Sequence, residues 1–73
     1  MKFQDYIESN HTIMLGKPVI KGTRITVELI LKKLSEGAST KQIIGMYPNL
    51  NNEQINACLA YASDVISNEL ILE

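Results

Sequence analysis

The stretch Gly16-Lys17-Pro18-Val19-Ile20-Lys21-Gly22-Thr23-Arg24-Ile25, running directly into Thr26-Val27-Glu28-Leu29-Ile30-Leu31, decides the fold. Two glycines and a proline within seven residues mark a turn in which backbone shape matters more than side-chain identity. Lys17, Lys21 and Arg24 ride on that turn with no acid between them, which points to a surface offered to something anionic. Immediately afterwards Val27, Ile30, Leu31 and Leu34 recur at i, i+3, i+4 and i+7, the spacing of one buried helical stripe. A first helix is therefore expected over 27 to 36, capped by Thr26 and ended by Gly37 in the left-handed conformation. Ile25 and Ile30 form a hydrophobic staple across the cap, and Glu28 is expected to pair with Lys32 one turn on.

Two further helix starts follow the same logic. Ser39-Thr40-Lys41-Gln42 is a capping box with Ala38 and Ile43 as its staple, and Pro48 confines the helix it opens to roughly seven residues. Asn51 to Gln54 repeats the device with Leu50 and Ile55, and opens a third helix running toward the end of the chain. Its apolar stripe is Ile55, Cys58, Leu59, Ala62, Val65 and Ile66, continued by Leu70, Ile71 and Leu72. At 1.5 Å per residue, a helix over 52 to 70 spans about 28 Å and the first helix only about 15 Å. The last turns must overhang the three-helix core, so Val65, Ile66, Leu70 and Ile71 need cover from the N-terminal segment or from another chain. Upstream, Thr12-Ile13-Met14 and Arg24-Ile25-Thr26 are expected to pair as a short antiparallel ribbon around the Gly-Pro turn.

The expected architecture is thus mainly α: one domain over 1–73, with an N-terminal β-ribbon segment over 1–25 and a three-helix body over 26–73. The hydrophobic content of 45% in 73 residues suits a small globular domain, whose limited core makes a partner or a second copy stabilising. The single cysteine, Cys58, has no internal disulfide partner and reads as a small core residue. The opening residues lack the apolar core of a signal peptide, and the longest apolar run, Ala57 to Ala62, is far short of the ~20 residues that span a bilayer. A cytoplasmic protein with no membrane role is expected.

Net charge is −1, yet all seven Lys and Arg lie between Lys2 and Lys41, and Glu53, Asp64, Glu69 and Glu73 follow without a cation. This asymmetry is suited to steering a nucleic acid toward one face or to ordering two copies head to tail. Catalysis and cofactors are not expected. His11 is the sole histidine and has no cysteine at metal-ligand spacing, and no serine sits in a Gly-x-Ser-x-Gly turn. The acids are dispersed over separate elements, and Gly16 to Gly22 lacks the ending of a phosphate loop. No small-molecule substrate is implied.

Three short helices with tight connections also suggest a helix-turn-helix. The recognition helix would be the third, whose first turns offer Asn52, Glu53, Gln54 and Asn56: Asn52 and Gln54 suit adenine edges, but no cation there holds phosphate. Lys17, Lys21, Arg24, Lys32 and Lys33 supply about four or five phosphate contacts, so binding by one chain would be weak and salt-sensitive, and DNA recognition would require a dimer. Arg24 has two readings: its planar fork grips a phosphate or a partner carboxylate, or it pairs internally with Glu28, Asp64 or a helix C-terminal carbonyl.

The segments Gly-Lys-Pro-Val-Ile-Lys-Gly-Thr-Arg-Ile-Thr-Val, Leu-Ser-Glu-Gly-Ala-Ser-Thr-Lys-Gln-Ile and Tyr-Pro-Asn-Leu-Asn-Asn-Glu-Gln-Ile-Asn-Ala-Cys-Leu-Ala-Tyr-Ala together resemble the small bacterial family DUF433, over roughly residues 11 to 62. Gly16, Pro18, Gly22, Thr23, Arg24 and Ile25 match its signature turn, and Tyr47, Pro48 and Leu50 its inter-helix turn. The resemblance implies a homeodomain-like three-helix fold after a short β segment, and a role as a VapB-like antitoxin beside a PIN-like ribonuclease toxin. It assigns no catalytic residue. Asn51-Asn52, where Thr or Ser with an acid is common, and Gly45 within the second helix depart from the family pattern. The expected function is therefore a dimeric, non-enzymatic antitoxin that covers its toxin and contacts operator DNA, with a free-standing DNA-binding regulator as the alternative.

Overall fold

A computed structural model describes residues 2–71, with side chains over 2–68. Three helices, α1 (Val27–Ser35), α2 (Thr40–Met46) and α3 (Asn52–Ile71), follow a two-stranded antiparallel sheet of β1 (Ile7–Glu8) and β2 (Val19–Ile20). Single 3₁₀ turns stand at Phe3–Asp5 and Met14–Gly16. No helix among the described residues is long and apolar enough to cross a membrane.

The helix ends form where local chemistry places them. Thr26 Oγ1 accepts from Leu29 N at 3.0 Å, satisfying one of the orphan donors of the first turn of α1. At the other end Ala38 N donates to Lys33 O and Gly37 N to Leu34 O, the paired bonds of a Schellman turn, with Gly37 left-handed at φ 99°. Ser39 and Gln42 form the reciprocal capping box of α2. Asn51 Oδ1 accepts from Gln54 N at 2.9 Å and Gln54 Oε1 accepts from Asn51 N at 2.8 Å, so α3 begins on the same device.

The core is Ile7, Ile20, Val27, Ile30, Ile43, Leu50, Ile55, Ala57 and Cys58, drawn from the sheet, all three helices and the turn before α3. Burial raises the Cys58 thiol to about 11, since the thiolate would lose its water, so Cys58 is a neutral packing residue. On α3 the inward face is the expected one only in part: Ile55 and Cys58 are fully buried, but so is Ala57, and Tyr61 packs edge-on against Phe3 with ring centroids 5.5 Å apart, whereas Leu59 is 46% exposed. The 3₁₀ turn at Phe3–Asp5 covers the flank of α3 that carries Tyr61, which rotates the buried face away from Leu59.

The ribbon between Thr12–Met14 and Arg24–Thr26 does not form. Ile7 pairs with Ile20 and Glu8 with Val19 instead. Two facts account for the difference. Asn10 Oδ1 accepts from both Thr12 N and Thr12 Oγ1, folding that segment into a turn, and Met14, Leu15 and Gly16 are left-handed at φ 47°, 57° and 83°, a conformation no strand can hold. Val19 and Ile20 are β-branched and fully buried, so burial selects them as the strand. The Arg24–Thr26 segment still lies beside a strand, with Ile20 N donating to Ile25 O and a bridge from Val19 to Thr26. The expected Glu28–Lys32 pair is also replaced: Glu28 accepts from Lys17 Nζ at 3.0 Å, the one ion pair among the described residues.

Candidate functional site

The turn from Ile20 to Ile25 is clamped by a hydroxyl. Thr23 Oγ1 donates to Ile20 O at 2.7 Å and accepts from Ile25 N at 3.0 Å, and Thr23 N also donates to Ile20 O. Gly22 supplies the left-handed residue at φ 78° that reverses the chain, and Lys21 N donates to Tyr6 O to extend the β1–β2 pairing. The backbone that carries Arg24 is therefore held at both ends by buried strand and helix. Arg24 itself is exposed and makes no hydrogen bond or ion pair among the described residues, so the expected internal partners Glu28 and Asp64 are not engaged. Glu28 is already bound to Lys17.

Arg24 stands between two concavities. One, of about 380 Å³, lies between the Gly22–Ile25 turn and the turn after α2, with Ile25, Met46, Tyr47 and Pro48 among its walls. The other, of about 300 Å³, has Glu8 and Ile13 on its far side. A broader groove of about 540 Å³ between the end of α1 and α2, lined by Gly37, Ala38, Gln42 and Gly45 among others, carries no cation. The two turns that the sequence marked separately thus meet across one cleft.

The remaining candidate residues do not converge. Lys17 is held by Glu28 on the flank of α1, which leaves it less available to an anion. Lys21 and Lys32 are exposed and Lys33 is half-buried on α1. On α3, Asn52 is exposed, but Gln54 commits its carbonyl oxygen to Asn51 N, leaving only its amide donors for an outside partner. Glu53, beside them, accepts a 2.6 Å hydrogen bond from Tyr6 Oη, and the carboxylate holds the Tyr6 hydroxyl above its ordinary value by favouring the protonated donor. That bond ties the N-terminal segment to the first turn of α3, a link across 47 residues that sequence spacing does not signal.

Beyond Tyr61 α3 continues past the last core contact. Val65 is 38% and Ile66 57% exposed, and neither belongs to the core or to the side chains packed against it. Leu70 and Ile71, expected on the same surface, have side chains outside the described residues. No group of three or more potential metal ligands occurs among the described residues.

Residues 7–62 match the model of a protein family of unknown function, DUF433. The chain belongs to this family. The match spans β1 through Tyr61 and so takes in the sheet, the clamped turn, α1, α2 and the packed part of α3 of this DUF433 domain. No curated protein and no solved structure matches the chain significantly.

Proposed function

We propose that this DUF433 protein is a cytoplasmic, non-enzymatic antitoxin-type protein whose protruding end of α3 packs against another polypeptide: a PIN-like toxin in the neutralising complex, a second copy when alone. The observation that carries the reading is the exposure of Val65 and Ile66 on α3, outside the core and the side chains packed against it among the described residues. Twenty residues of α3 extend about 30 Å, twice the reach of α1, and apolar side chains on such a projection lose water only by meeting a partner. Leu59, also exposed on α3, enlarges the apolar surface on the same helix. Coexpression with the product of the adjoining open reading frame tests this. A tagged chain should retain that product and lose it when Val65 and Ile66 are replaced by Ser; a neighbour never retained, or retained equally by the double variant, refutes the reading.

The second reading, a free-standing DNA-binding regulator of homeodomain-like helix-turn-helix type, draws on the α2–turn–α3 arrangement and on exposed Lys21, Arg24 and Lys32. It is weaker because the first turn of α3 presents Glu53 and no cation, so phosphate contacts would come only from the turn and from α1. Operator contact by the dimeric antitoxin meets the same limit. DNA retention that falls steeply with salt, without any protein partner, favours the regulator; no retention at low salt excludes it.

A further inference from the structure

We propose that the cleft beside Arg24 receives the exposed end of α3, Asp64-Val65-Ile66, from a second copy of the chain, the two copies docking reciprocally about a twofold axis. The inference rests on the reading of that end of α3 as an assembly surface and names what it docks against. Charge decides between the two ways of pairing two copies. Every acid after Lys41 lies on α3 or beyond it, and no cation follows Lys41, so laying α3 against α3 sets carboxylates against carboxylates. The basic residues all lie in the other part of the chain, and among them Arg24 is exposed, without an ion pair among the described residues, at the edge of a concavity.

The shapes agree with the charges. The cleft is about 380 Å³, with Ile25, Met46, Tyr47 and Pro48 in its walls, and Met46 is 49% exposed there. Successive helix positions stand about 100° apart, so with Val65 seated in the cleft Asp64 leans to one wall and Ile66 to the other. Asp64, exposed and without an ion pair among the described residues, then meets the Arg24 guanidinium, and Ile66 covers the apolar wall. A twofold axis makes each contact twice, because the cleft and the helix end are both present on each copy. A nucleic acid fits the cleft less well. Its walls are largely apolar, and Glu8 lines the adjoining concavity on the other side of Arg24, where a phosphate chain would meet a carboxylate.

A charge exchange on the full chain tests this by sedimentation equilibrium over a concentration series of the parent, Arg24→Asp, Asp64→Arg and the double variant. Each single reversal removes an attraction and creates a repulsion at both symmetric contacts, so each should weaken dimerisation at least ~10-fold, and the double variant should recover most of the loss. Both substitutions are at exposed positions, and circular dichroism should show the same helix content throughout. Dimers that persist unchanged in both single variants, or a double variant weaker than either single one, overturn the docking mode and leave dimerisation standing. A parent that stays monomeric to about 100 µM overturns the dimer itself. An Arg24→Asp chain of unchanged mass that no longer binds duplex DNA assigns Arg24 to phosphate and overturns the proposal.

Discussion

Replacing Thr23 by Val keeps the side-chain shape and removes only the hydroxyl that closes the Ile20–Ile25 turn. Two hydrogen bonds disappear, the 2.7 Å bond to Ile20 O and the 3.0 Å bond from Ile25 N. Ile20 O keeps its bond from Thr23 N, whereas Ile25 N is left half-buried with no acceptor. At ~1 kcal/mol for each lost bond the cost is about 2 kcal/mol. For a chain of this length 1 kcal/mol moves the midpoint by ~4–8 °C, so thermal unfolding followed by circular dichroism should shift down by about 8–16 °C. Thr23→Ser retains the hydroxyl and should lose less than ~1 kcal/mol. A Val variant that melts within ~2 °C of the parent, or a Ser variant that falls as far as Val, would show that the hydroxyl does not hold the turn. The same loss loosens the segment that presents Arg24, so the Val variant should also dimerise less well at temperatures where it is fully folded.

Gly45 lies within α2 with φ in the ordinary helical range and nothing within 4 Å of a Cβ built there, so Gly45→Ala should stabilise the fold by ~0.5–1 kcal/mol in urea denaturation. Asn51→Ala removes the side-chain oxygen that accepts from Gln54 N at the start of α3 and should cost ~1 kcal/mol by the same measurement, with Asn51→Ser recovering most of it. Cys58 is held neutral in the fold, with its thiol raised from the ordinary 9.0 to about 11, whereas the unfolded chain releases the proton nearer the ordinary value. The contribution of Cys58 to stability should therefore be constant below pH 9 and be lost as pH rises toward 11, and at neutral pH a thiol reagent should modify Cys58 only as urea unfolds the chain.

The helices were legible because their signals are local. Ser39 with Gln42, Asn51 with Gln54, and Gly37 after Leu34 each satisfy backbone groups a few residues away, so sequence spacing is enough to find them. The sheet was not. Its partners Ile7 and Ile20 are brought together by a left-handed turn at Met14–Gly16 that uses ordinary Met and Leu residues, and no composition rule marks it. Lys17–Glu28 and Tyr6–Glu53 are bonds between elements far apart in the chain, and they decide which charged groups stay free. The buried face of α3 shifted for a similar reason: Phe3 comes from the N-terminal segment to cover Tyr61, leaving Leu59 in solvent. Of the site, the turn and its three cations were readable from sequence, but the meeting of that turn with Tyr47-Pro48 across one cleft is tertiary.

The central claim is that the end of α3 is an assembly surface, and the most direct measurement is the solution mass of the parent beside a Val65→Ser, Ile66→Ser double variant. The parent should sediment at twice the 8.2 kDa of one chain, and the variant at 8.2 kDa with unchanged helix content by circular dichroism, because both side chains are exposed in the single chain. A parent of single-chain mass, or a variant that keeps the parent's dimer, would contradict the account.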